Sequence, residues 1–116
     1  AETVTVSANT DAGFSIVTYT GDGSAATVGH GLSIAPELII VKNRDTAANW
    51  PVYHHKNTSA PETDYLKLDE TNATADNSTF WNDTAPTSSV FTVATDGDVN
   101  TDDDKYVAYC FHSVDG

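Results

Sequence analysis

Five side chains that carry oxygen alternate along one stretch of the chain: Asp96, Asp98, Asn100, Asp102 and Asp104. Calcium takes several hard oxygen ligands, and a turning loop can bring them together. The stretch is not an EF-hand. Counting from Asp96, the sixth position is Thr101 rather than Gly, and the twelfth is Val107 rather than Glu. Two readings stand side by side: a Ca2+ site, and a solvated acidic loop between strands. A second group is aromatic. Trp50, Tyr53 and Trp81 could stack on sugar rings while neighbouring Asn and Asp side chains bond hydroxyls. The plainer alternative is that a domain this small spends its aromatics on its own core.

The histidines offer less. His54 and His55 are adjacent and would face opposite sides of a strand, so they cannot grip one ion through that spacing. His30 lies between two glycines in a turn, and His112 follows an apolar run. No transition-metal site is expected from this pattern. Nor does a nucleophile elbow, a phosphate loop or a His-Glu-x-x-His motif occur. Glu37 is the one acid leading into an apolar strand, and solvent at the strand start accounts for it. No catalytic residue is therefore expected, and the chain reads as a non-enzyme.

The elements that would position these groups are strands. Thr, Asn, Ser, Asp and Gly are abundant while Leu, Lys, Arg and Glu are scarce, which disfavours helices. β-branched and aromatic runs bounded by turn residues predict strands at Thr3–Val6, Phe14–Thr20, Ala25–Val28, Glu37–Lys42, Trp50–His54, Tyr65–Leu68, Val90–Val93 and Tyr106–His112. Phe14–Thr20 is apolar on both sides. Glu37–Lys42 is too, so it is expected in the middle of a sheet. Pro51 argues for an edge or a bulge. About eight short strands with regular turns predict an all-β antiparallel sandwich, jelly-roll-like, with little or no helix. A single domain over residues 13–116 follows, preceded by an extended N-terminal arm over residues 1–12. In that arm Thr3, Val4, Thr5 and Val6 could pair with a neighbouring subunit.

Charge narrows the partners. The 116 residues carry 17 Asp and Glu against 5 Lys and Arg, a formal net charge of −12. Such a chain repels phosphate backbones, so nucleic acid is not an expected partner. It has no basic helix to hold an anionic membrane and no apolar run near the roughly 20 residues of a membrane span. Cys110, the single cysteine, sits in an apolar run and reads as a buried, inert thiol. Asn-x-Ser/Thr sequons at Asn57, Asn72, Asn77 and Asn82 are of the number that chance supplies in so Thr- and Asn-rich a chain.

Four segments carry a likeness to a known family: TVSANTDAGFSIVTYTGDGSAATVGHGLSIAPELIIVKNRD (5–45), NWPVYHH (49–55), WNDTAPTSSVFTV (81–93) and YVAYCF (106–111). They resemble an uncharacterised β-rich module recurrent in virion proteins of bacteriophages, above all tail proteins of marine phages. The resemblance implies a component of the virion exterior and brings no catalytic residues with it. The leading expectation is a capsid decoration (cement) protein that works as a homo-oligomer, bound to itself and to other virion proteins. A tail-fibre module binding a receptor or host-surface glycans is the second. A calcium-stabilised extracellular filament subunit is the third.

Overall fold

The computed structural model describes residues 4–71 and 73–114. Nine strands, two one-turn α-helices and a 3-10 turn follow one another along the chain. They are β1 (Val4–Asn9), β2 (Phe14–Thr20), β3 (Ala26–Gly29), β4 (Leu38–Asn43), β5 (Pro51–His54), the 3-10 turn (Pro61–Thr63), β6 (Asp64–Lys67), β7 (Ala75–Asp76), α1 (Ser78–Trp81), β8 (Val90–Val93), α2 (Gly97–Asn100) and β9 (Lys105–Phe111). The protein is all-β and sandwich-like, with unequal layers. One sheet has seven strands in the order β1-β2-β9-β4-β5-β6-β7, and the other is the antiparallel pair β3-β8.

Alternation explains the large sheet. In β2, Ser15, Val17 and Tyr19 are buried; in β9, Tyr106, Ala108 and Cys110; in β4, Ile39, Val41 and Asn43. With a side-chain period of two, these residues share one face. The small layer covers that face with Val28, Phe91 and Val93, and α1 and α2 add Phe80, Trp81 and Val99. Tyr19 meets Phe91 edge to face with ring centroids 6.3 Å apart. Tyr65 stacks on Phe80 at 3.9 Å.

The expected arm is otherwise placed. Val4–Asn9 is an integral edge strand, paired residue by residue with β2 from Val4↔Tyr19 to Asn9↔Phe14. Thr3 lies outside the described residues, as does the sequon at Asn72. Val6 and Ala8 press on the second layer at Gly31, where a Cβ would come within 2.5 Å of Val6 Cγ1. Gly31 also has φ +76°, so glycine is needed there twice over. Thus Val4 and Val6 serve the fold of their own chain. Pro51 is likewise corrected. It is no edge residue, since β5 lies between β4 and β6; it is the first residue of its strand, another place where proline is tolerated.

Candidate functional site

The acidic stretch folds into a helical turn, and this separates its oxygens. Asp96 is the N-cap of α2, its carboxylate accepting the Asp98 N–H at 2.8 Å. Asn100 is fully buried. Its amide donates to Ser24 O at 2.6 Å and Ala94 O at 2.7 Å, and its Oδ1 accepts the Asp22 N–H at 2.9 Å. Asp104 turns the other way and accepts from Asn43 Nδ2 and Thr46 Oγ1, both at 2.9 Å. Those bonds hold the Asp104 carboxyl below its usual range. Burial pushes Asp98 up, and Asp96 beside it adds to the shift. Asp102 is exposed. Of the five groups expected to share a calcium ion, Asp96, Asn100 and Asp104 are therefore engaged in capping and turn-locking bonds. Among the described residues, no three His, Cys, Asp or Glu side chains are placed to hold a metal.

Protein groups do for this loop what an ion would have done. Tyr19 Oη donates to Val99 O at 2.7 Å. Tyr106 Oη donates to Gly97 O at 2.6 Å and accepts the Thr101 N–H at 2.7 Å. The two tyrosine rings stack, 5.2 Å apart and 11° from parallel. The strand pattern around Tyr19 and Tyr106 does not show this role of their hydroxyls.

The aromatic trio is also divided. Trp81 and Tyr53 are buried and meet edge to face at 6.2 Å, with Trp81 Nε1 donating to Asp64 O at 3.1 Å. Neither ring can stack on a sugar. Only Trp50 is partly exposed, with Lys42 Nζ 5.7 Å above its ring. Of the histidines, His30 is fully buried. Its Nε2 lies 2.9 Å from Thr87 O and its Nδ1 accepts the Leu32 N–H at 3.0 Å, a pattern that only the neutral ring satisfies. Burial lowers its pKa. His54 and His55 do converge, because the chain turns after His54, and their ring centroids are 5.2 Å apart. His55 Nε2 lies 3.3 Å from Glu37 Oε2. Glu37 also accepts the Ser113 N–H, which holds its carboxyl below the usual range. Cys110 is buried and its thiol is pushed up to about 12 by desolvation, so it is not a nucleophile.

What stands out is the other face of the large sheet, which the second layer does not cover. Its side chains form three rungs across the strands. The first is Phe14, Phe111, Leu38 and His54; the second Ile16, Tyr109, Ile40, Val52 and Leu66; the third Thr18, Val107 and Lys42. Val52 is buried among its neighbours and the rest are half-buried. Phe14 and Phe111 pack with centroids 4.8 Å apart. Within β2, β9 and β4 no carboxylate stands on these rungs, whereas Asp64 of β6 and Asp76 of β7 continue the first rung beyond His54. An antiparallel sheet with one solvated face ordinarily alternates apolar with polar residues. Here three adjacent strands, β2, β9 and β4, are apolar on both sides. The signal was in the sequence at FSIVTYT and ELIIVK. At ELIIVK it was read as a central position in the sheet, which holds, and at FSIVTYT only as a two-sided pattern; the second apolar side has no cover within the described chain.

Fold and surface together define a class: a lopsided β-sandwich domain whose large sheet keeps one broad, largely apolar face uncovered among the described residues. The chain belongs to the family described as a domain of unknown function, DUF7483, whose model matches residues 2–116. No curated protein and no solved structure matches it.

Proposed function

We propose that this domain is a non-enzymatic structural part of a bacteriophage virion exterior, of the capsid-decoration kind, joined to its assembly through the open sheet face. The observation that carries the reading is the three-rung, largely apolar face in a chain of formal net charge −12. Contiguous apolar patches of this breadth mark interaction surfaces. The central strands β2, β9 and β4 bring no carboxylate to this face, which suits a buried interface centre, since an unpaired buried charge is costly. The virion setting rests on the sequence resemblance. A glycan-binding role loses support with Tyr53 and Trp81 in the core, and a calcium-held filament with the acid loop pinned by tyrosine and asparagine.

The test is occupancy on native particles. Ile16→Thr with Tyr109→Thr makes the middle rung polar while keeping strand-favouring residues. Expected is a loss of about tenfold or more in copies bound per particle, with an unchanged circular dichroism spectrum. Unchanged occupancy, or absence of the parent chain from purified particles by mass spectrometry, overturns the proposal.

A further inference from the structure

We infer that β1 pairs edge to edge with β1 of a second copy, antiparallel about a two-fold axis perpendicular to the sheet, so that the two large sheets run on as one. This goes beyond the assembly role and leaves the open face free for it. The observation is an edge without protection. A strand at the margin of a sheet presents unpaired N–H and C=O groups, and proteins blunt such margins with short strands, charges, proline or bulges. The far margin of the large sheet is blunted twice over: β7 has two residues, and one of them is Asp76. β1, at the near margin, has none of these devices. It is six residues long, runs unbroken against β2 from Val4↔Tyr19 to Asn9↔Phe14, and contains no proline and no charge. All but Val4 are exposed. Among the described residues, no backbone group of Val4–Asn9 bonds anything outside the β1–β2 ladder. The margins of the small layer are shorter, since β3 and β8 have four residues each.

Charge, side-chain pairing and direction select a second copy as the occupant. Two chains of net charge −12 repel each other over most of their surface. Neither β1 nor β2 contains an Asp, Glu, Lys or Arg, so the seam and the strand behind it set no like charges together. The edge also complements itself. With Val6 on the axis, Val6 meets its own copy, Val4 meets Ala8, and Thr5 meets Ser7. Val4, Val6 and Ala8 share the inner side with Tyr19, Val17 and Ser15, so apolar residues meet on the core side. The hydroxyl pair meets on the other side, where Thr and Ser bond favourably across antiparallel strands. Finally, this axis keeps the same face up in both copies. The two open faces lie side by side, and a matched edge of this kind closes at two copies.

The size of the seam sets its strength. Six residues at about 3.3 Å rise make a contact about 20 Å long, well short of a standard interface. A dissociation constant of about 10–100 µM is expected. Copies held on a particle through their open faces meet at a higher local concentration and pair more fully.

Sedimentation equilibrium of the purified chain tests the inference, in about 0.15 M salt. Thr5→Glu with Ser7→Glu sets carboxylates opposite one another across the seam and should raise the dissociation constant about tenfold or more. Thr5→Lys with Ser7→Lys should do the same, and the two variants mixed should pair with each other more tightly than either pairs with itself. In the parent chain, alternate amides of Val4–Asn9 should gain protection from hydrogen exchange as concentration rises, which reads the seam without any substitution. A monomer still present alone at about 1 mM, β1 amides indifferent to concentration, or a mixture no tighter than its components overturns the inference. A monomer that still loads onto particles defeats the seam and leaves the assembly role standing. A β1 dimer absent from particles defeats the role and leaves the seam standing.

Discussion

The two faces of the seven-stranded sheet are made of the same strands and nearly the same residue types, yet they do different work. The inner face carries Val17, Ile39, Val41 and Tyr106 against the small layer, and the Tyr106 hydroxyl ends on Gly97 and Thr101. The outer face carries Ile16, Ile40, Val107 and Tyr109, equally apolar and only half-covered. Hydrophobic stabilisation follows the area actually removed from water. The difference teaches that apolar character alone does not assign a residue to the core; what lies over it does.

The largest effect should come from breaking the inner side. Phe91→Ala empties a site between the layers and should cost about 3–5 kcal/mol of unfolding free energy, read by urea denaturation. Ile40→Thr, on the opposite face, should cost less than about 1.5 kcal/mol in dilute monomer and act mainly on association. Equal losses at both sites would erase the distinction between the faces.

A smaller effect concerns pH. His30 is held neutral by the Leu32 N–H and Thr87 O, and burial lowers its pKa. In the unfolded chain the ring takes a proton near pH 6.5. Its contribution to stability is therefore complete above that pH and is lost as the pH falls from there towards the depressed folded value. The urea midpoint should drop between pH 7.5 and about 5.5, and the His30 ring should titrate below its unfolded value by NMR. Titration at or above the unfolded value would show that the ring does not lock this turn.

Most strands were legible because β-branched and aromatic residues cluster between turn formers. β7 was missed, since the two residues Ala75 and Asp76 carry no period to read. The helices were missed for a related reason: four residues make one turn, and only their caps, Asn77 and Asp96, leave a trace in the sequence. The acidic alternation misled because even spacing aligns side chains on a strand and scatters them on a helical turn. Asn100 looked like a ligand and is a buried tie between the β2–β3 turn and the segment after β8. Its role depends on Ser24 and Ala94 arriving from elsewhere in the chain, which local pattern does not record. The open face was half-visible: the two-sided strands could be read, but the size of the covering layer could not.

The position of β9 has a consequence for how the domain comes into being. The strand that is last in the sequence sits between β2 and β4 and supplies the ladder on both sides. Until residues 105–111 have left the ribosome, the β1–β2 hairpin and the β4–β7 meander have no shared seam. Assembly must wait for contacts that span most of the chain, which makes for slow, cooperative closure. Meanwhile the edges of β2 and β4 stay open to strangers. A domain wired this way closes like a zip whose slider is threaded last, and it commits to its shape all at once.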